Sequence, residues 1–478
     1  MEPVVGREPE IRILNEAMQS TDAELIAVYG RRRVGKTFLV RQVLGPRFLM
    51  EITGIHNGTL QQQLENFSLV LRKHFPNIVL PLMFPSWLQA FDALTACVAP
   101  QIDKKKIVVF FDELPWMHTR KSGFLPAFEN FWNSWACRQK NIAVVICGSA
   151  ASWMLDRIVR NKGGLHNRIT RRIRLLPFTL QETEKYLKSR GVKLDRFQVL
   201  QLYMVMGGIP QYLKEIQPGQ SSIQNIDRIC FSKDGLLKTE FEDLFHALFE
   251  KAGRHIDIVR ALANKPTGLM RNEIIRQAKL KTGGTATQLF TELEESGFIT
   301  STIPYDKKNK DSVYRLTDEY SLFYIKFILP NRKETGKGTW NRLVESPSWK
   351  SWSGYAFESI CLKHAASVKR ALGIEGVYTV TSAWYHRGTK LTDGAQIDLL
   401  IDRSDRCINI CEMKFSGEPF EITKAYATNL EKKLSVFRRE INPRKTLFLT
   451  MITTYGVKEN AYKTNLVENE LTMDALFE

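Results

Sequence analysis

Three features of the 478-residue sequence mark an α/β protein assembled from several domains. Over residues 1 to about 175, short β-rich runs alternate with helical patterns, as in a layer built on a parallel sheet. A turn rich in glycine and arginine, GRRRVGKT at 30–37, joins the first apolar strand to a helix. Beyond it the apolar periodicity changes near 256 and again near 350. A chain of this length also exceeds what one core can hold.

In the first segment the clearest strands are ELIAVYG, KIVVFFDE and IAVVICGS. Each is nearly continuous in apolar residues, as strands covered on both faces must be. From 178 to 228 the pattern is helical, with TLQETEKYLKSRG starting at a Thr179 cap, and 229–255 reads as a helical linker. IDIVRALA, MRNEIIRQAKL and TATQLFTELEESGFIT then predict three short helices, and a β-type stretch ends in VYRLTDEY. Three helices and a hairpin describe a winged-helix domain. GYAFESICLKHAASVKRAL predicts one amphipathic helix, AQIDLLIDR and CINICEMKF two strands, and a long helical segment follows. There is no internal repeat and no low-complexity tract.

Hydrophobic content of 44% and aromatic content of 10% fit packed domains. The formal charge of +17 favours an anionic partner, nucleic acid being the commonest, although a solvated basic surface gives the same total. Seven cysteines include no CxxC pair, and Cys97, Cys147 and Cys361 sit in apolar runs, which points to a reducing cytoplasm. Cys407 and Cys411 read as core residues. MEPVVGREPE is unlike a signal peptide, and no apolar run would span a bilayer, so a soluble chain with no membrane partner is expected.

The turn matches G-x-x-x-x-G-K-[ST] at Gly30, Gly35, Lys36 and Thr37. Glycines let backbone N–H groups converge on phosphates, and the helix N-terminus adds positive partial charge. Lys36 would reach the β- and γ-phosphates and Thr37 would hold Mg²⁺. This defines a P-loop NTPase core whose candidate nucleotide contacts are Gly30, Arg31, Arg32, Arg33, Val34, Gly35, Lys36, Thr37 and Phe38. Each of Arg31 to Arg33 faces either the triphosphate or solvent. IVVFFDE supplies the second element, with Asp112 for Mg²⁺ and Glu113 to polarise the attacking water. Ser149, ending the third strand, would bond that water or the γ-phosphate, or cap a helix.

Arg271, Arg276, Lys279 and Lys281 surround the turn of the three-helix unit. Thr285, Thr287 and Gln288 stand at the start of its candidate recognition helix, where a major-groove reader touches bases. Its acidic half, TELEESG, would repel phosphate, and a protein-docking role stays open. Near the C-terminus, Gly394, Asp398, Glu412 and Lys414 form a second constellation. Strand alternation puts Glu412 and Lys414 on one face, and a hairpin would add Asp398, giving two carboxylates and a cation for a Mg²⁺ site on a phosphodiester. Asp402 and Asp405 read as turn-formers.

The order of VGRE, GRRRVGKT, FFDE, GS and GGIPQYL resembles the archaeal-type ATPases of the STAND and AAA+ group, relatives of origin-recognition ATPases. The resemblance implies ATP as nucleotide, with Val5, Gly6 and Arg7 against the adenine. It implies a helical lid closing over ATP through Gly207 to Pro210, notably Gly208 and Pro210. It also implies an arginine finger before LLPF: Arg168, preceded by Asn167 where the family has glycine, with Arg171, Arg172 and Arg174 as competitors. The Asp398, Glu412 and Lys414 pattern resembles the PD-(D/E)xK nuclease superfamily, implying an α/β restriction-endonuclease-like C-terminal domain. GYAFE then contributes Glu358 as a further acidic ligand, and Lys424 and Tyr426 face the site. The domains expected are 1–177 for the ATPase core, 178–255 for the lid and linker, 256–335 for the winged helix and 340–478 for the nuclease-like domain. Three functions are in play. The first is an ATPase coupled to DNA binding and metal-dependent cleavage. The second is a nucleotide-dependent switch that binds a protein partner, forms a homo-oligomer and does not cleave. The third is a DNA-binding regulator with a merely structural ATP site.

Overall fold

The computed structural model describes residues 3–478 except 103–104, 150, 155–156, 159–162, 166, 250–251, 334–337 and 389–392. Two compact units result, Met1–Pro177 and Phe178–Glu478.

The first unit is a five-stranded parallel sheet with helices α1 (Glu8–Gln19), α2 (Lys36–Leu44), α3 (Leu60–His74), α4 (Trp87–Val98) and α5 (Phe124–Ser134). Its strands are β1 (Glu24–Tyr29), β2 (Phe48–Thr53), β3 (Ile107–Asp112), β4 (Ile142–Gly148) and β5 (Arg171–Arg174), in the order β2-β3-β4-β1-β5. Every pairing is parallel. β1 and β4 are buried at every residue, which is why their apolar runs are unbroken. β2 and β5 are the edges, and sequence reading passed over both. β2 carries Glu51, while β5 is RRIR with only Ile173 buried. The strand here is RRIR itself, and LLPF lies after it. The core beneath the sheet is aromatic, with Phe91 packed against Phe111, Phe124, Phe128 and Phe131.

The second unit opens with helices α6 (Leu180–Ser189), α7 (Arg196–Met206) and α8 (Leu236–Leu248). Thr179 caps α6 in a reciprocal box with Glu182. Next come α9 (Ala252–Ala263), β6 (Leu269–Met270), α10 (Arg271–Gln277), α11 (Gly284–Glu295), β7 (Ile299–Thr302) and β8 (Val313–Leu316). The three strands form an antiparallel sheet in the order β6-β8-β7.

The expected amphipathic helix after 350 is two helices, α12 (Pro347–Lys363) and α13 (Ala365–Ala371), broken at His364. His364 is buried, its Nδ1–H donating to the Ile360 carbonyl at 2.9 Å and its Nε2 accepting from the Leu180 N–H at 3.1 Å. The last sheet has five strands: β9 (Thr379–His386), β10 (Ala395–Arg403), β11 (Cys407–Lys414), β12 (Thr446–Thr453) and β13 (Asn469–Thr472). Their order is β13-β12-β11-β10-β9, antiparallel among β9, β10 and β11 and parallel from β11 to β13. Helix α14 (Lys424–Ile441) contributes Ala427, Leu430 and Phe437 to a core shared with Ile408, Ile410 and Leu449.

Candidate functional site

β1 runs directly into the glycine-rich turn. At Gly30, φ is 151° and a Cβ would stand 2.2 Å from the Leu175 carbonyl oxygen, so a side chain has no room. Arg33 and Gly35 follow at φ 73° and 91°, curling the backbone so that successive N–H groups line a concavity. α2 starts at Lys36, whose buried ammonium donates to the carbonyls of Gly30 at 2.9 Å and Arg31 at 3.0 Å.

Two further strand ends converge here. Thr37 Oγ1 donates to the Asp112 carboxylate at 3.1 and 3.0 Å. Asp112 is the last residue of β3, and its burial, together with the neighbouring Glu113 charge, raises its pKa against the opposing hydrogen bond from Thr37. Glu113 holds a left-handed backbone at φ 47°. Its Oε2 accepts the Ser149 N–H at 3.1 Å and the Ser149 hydroxyl at 2.8 Å. The sequence offered the attacking water, the γ-phosphate or a helix as partners for Ser149, and not this contact. β3, β4 and β1 are neighbours in the sheet, so Lys36, Thr37, Asp112, Glu113 and Ser149 meet at one edge. The hydroxyl and carboxylate of Thr37 and Asp112 form an all-oxygen pair suited to Mg²⁺.

The three arginines part company. Arg31 is buried, Arg32 is exposed and Arg33 is half-buried. Val34 is buried, and its carbonyl accepts from the Arg7 guanidinium at 3.5 Å. Gly6 and Arg7 have φ of 67° and 63°, so the VGR segment, with Val5 half-buried, turns against the loop. Phe38 is 40% exposed on the first turn of α2. Arg168 is exposed, and Asn167 adopts φ 55°, a conformation asparagine tolerates, which explains how it stands where the related pattern has glycine. Arg171 is half-buried, 3.8 Å from Glu24, while Arg172 and Arg174 are exposed.

Gly208 and Pro210 belong to the second unit, where the glycine pair has a packing cause. A Cβ on Gly208 would fall 1.9 Å from the Phe178 carbonyl oxygen, and the Phe178 N–H donates to the Gly208 carbonyl at 2.7 Å. Gly207, at φ 60°, lies against Glu319. Pro210 begins the short helix Pro210–Leu213.

In the C-terminal sheet, β10 faces β11 with Leu399 opposite Cys411, so Asp398 and Glu412 are the next residues outward. Lys414 Nζ lies 3.2 Å from Glu412 Oε1. Glu412 also receives Lys433 at 2.7 Å and the Tyr426 hydroxyl at 2.5 Å, both from α14. Burial pushes Glu412 up, but Lys433 and Lys414 outweigh it and hold the carboxyl below its ordinary range. Asp398 accepts from Arg315 of β8 at 3.3 Å and from Gln396 at 2.8 Å. Glu358 is pushed up to about 7 by burial and then by the Asp398 charge. Among the described residues, no group of three or more His, Cys, Asp or Glu is placed to hold a metal ion. Asp398 and Glu412 are each turned to cations, and Glu358 lies within electrostatic reach of Asp398, Lys414 and Glu412. Lys424 is exposed on the first turn of α14. Lys433 and Arg315 were missed. The first lies two helical turns beyond Tyr426 on the same face, which spacing could have shown; the second is remote in sequence. Asp402 is a strand residue paired to Lys445 at 2.5 Å, and Asp405 pairs with Arg403.

The geometry is that of a P-loop. Residues 4–216 match a family described as an ATPase domain predominantly from Archaea, so the chain carries an archaeal-type ATPase domain. An uncharacterized protein of Methanocaldococcus jannaschii is 24% identical over 392 residues, 81% of this chain and 83% of that protein. Among solved structures, the chain is similar to a Walker-type ATPase of Pyrococcus abyssi at 18% identity and TM-score 0.48, covering 67% of this chain and 96% of that one. It is also similar to the ORC2 protein of Aeropyrum pernix, in ADPNP–ADP complexes, at 14% identity and TM-score 0.40, covering 72% and 97%. No helix among the described residues is long and apolar enough to cross a membrane.

Proposed function

We propose that the chain binds ATP with Mg²⁺ at residues 30–38, hydrolyses it, and does so in association with DNA. The observation that carries this reading is the convergence of Lys36, the Thr37–Asp112 pair and Glu113 with Ser149 on three adjacent strand ends. The curled N–H groups of the loop and the start of α2 receive the phosphates, with Lys36 exchanging its carbonyl partners for the β- and γ-oxygens. Thr37 and Asp112 would hold Mg²⁺, which supplies charge neutralisation at the phosphates. Glu113 orients and polarises the attacking water, and Ser149 fixes the rotamer from which it does so. Val5, Gly6 and Arg7 would border the base, residues 178–255 the lid, and Arg168 would supply the finger.

The basic total charge of +17, the three-helix unit read as a winged helix at 256–335, and a domain of nuclease-like pattern at 340–478 support the DNA association. A second reading is favoured by one observation: the carboxylates Asp398 and Glu412 are already neutralised by Arg315, Lys414 and Lys433. On that basis the C-terminal domain engages its partner without cutting, as in a nucleotide-dependent switch that assembles with a protein or with further copies of itself.

Phosphate release with and without DNA tests the first reading. Stimulation by DNA that Lys36→Ala abolishes is the expected result; release indifferent to both would refute it. Mn²⁺-dependent nicking lost in Asp398→Ala and Lys414→Ala would restore cleavage.

A further inference from the structure

Residues from β6 to β8 on one side and from β9 and β10 on the other enclose a groove of about 450 Å³ within the second unit. Its walls are fastened together. The Tyr305 N–H donates to the Ala383 carbonyl at 2.7 Å, and the Tyr305 ring packs against Phe437 with centroids 6.0 Å apart. The groove is thus part of the fold and not a loose seam between lobes.

Its lining is basic. Lys265 and Arg387 are exposed at its rim, and His386 is half-buried. The groove opens past Arg387 into a shallower recess that adds Lys307. Glu273 is the acid in the lining, and its carboxylate is committed to the Met270 N–H at 2.8 Å. His386 Nδ1 faces Glu440 at 3.5 Å. At the inner end stand Arg315 and Gln396, the two residues that hold Asp398. Tyr385 adds an aromatic face in the lining. Cations along a channel with an aromatic face match a sugar–phosphate backbone whose bases stack beside it. The start of α11 offers less: Thr287 is bonded to Arg271 at 2.7 Å, Gln288 to Glu292 at 2.9 Å, and Glu294 and Glu295 follow.

We propose that this groove, and not the N-terminal end of α11, is the surface that holds DNA, with Lys265, Lys307 and Arg387 gripping successive phosphates and Arg315 closing the inner end. The proposal rests on the DNA association argued above but not on cleavage. Binding of fluorescein-labelled single-stranded and duplex DNA to the full chain, followed by anisotropy in EDTA across a salt series, tests it. Charge reversal in Lys265→Glu, Lys307→Glu, Arg387→Glu together is expected to weaken binding on the order of a hundredfold at 0.1 M salt and to lower the salt slope by about two to three. The neutral set Lys265→Gln, Lys307→Gln, Arg387→Gln should show the same change in slope, which keeps the test valid if the reversed variant misfolds. Thr285→Ala, Thr287→Ala, Gln288→Ala together should bind as the parent does. A groove variant that keeps parental affinity and slope overturns the proposal while leaving DNA association standing. A parent chain that binds neither oligonucleotide overturns both.

Discussion

Replacing Thr37 by valine removes one hydroxyl and keeps the branched shape. That hydroxyl donates to both oxygens of Asp112, at 3.0 and 3.1 Å, leaving the Glu113 N–H at 3.1 Å and the Cys147 thiol as the remaining donors. Asp112 is buried, and its pKa already stands above the ordinary range. A hydrogen bond to a charged group is worth about 1.5–3 kcal/mol, which corresponds to roughly ten- to a hundredfold in affinity. If the hydroxyl serves the metal, that loss falls on the magnesium complex alone. Isothermal titration of ATP in Mg²⁺ and in EDTA separates the cases. Thr37→Val should weaken binding in Mg²⁺ by that factor and leave binding in EDTA unchanged. An equal loss in both, or no loss in either, would refute the assignment of Thr37 and Asp112 to magnesium.

Glu113→Gln should lower phosphate release by about 10²- to 10⁴-fold while ATP binding stays at the parental level, since the amide oxygen can still accept from Ser149 but takes no proton; rapid-quench assays beside titration calorimetry check both halves. Gly208→Ala should destabilise the second unit by at least about 1–3 kcal/mol, because the new Cβ meets a backbone carbonyl that cannot turn aside, and the urea midpoint measures it. His364 sets a pH dependence: burial lowers its pKa from 6.5 to about 4, so the unfolded chain takes up a proton first as pH falls. Stability from this group is complete above pH 6.5 and is lost as pH falls towards 4. Between pH 7 and 5 the loss is about 2 kcal/mol, and His364→Gln should remove that part of the slope in denaturant titrations.

The sequence disclosed what burial or motif spacing enforces. β1, β3 and β4 were legible because the sheet covers both their faces, leaving uninterrupted apolar runs that end in the candidate site residues. β2 and β5 were not, since an edge strand needs only one side covered, and Arg171 to Arg174 read as surface charge. β10 and β11 stood out through AQIDLLIDR and CINICEMKF, yet β9, β12 and β13 around them went unseen. In β9, Thr379, Thr381 and Ser382 dilute the apolar signal; β12 follows a long helical pattern that masked its start. At the P-loop, one local motif recorded Lys36 and Thr37, and the charged or polar ends of two apolar strands recorded Asp112, Glu113 and Ser149. At the C-terminal carboxylates, Lys433 was legible only through its helical spacing from Tyr426, while Arg315 comes from a remote strand that no short window of sequence pairs with Asp398.

The anchoring of Tyr305 in the C-terminal core has a mechanical meaning. A hairpin tip that packs against a neighbouring sheet gives the three-helix unit and that sheet a shared core residue. The loop between β7 and β8 is tied in this way to β9 and, through Phe437, to α14.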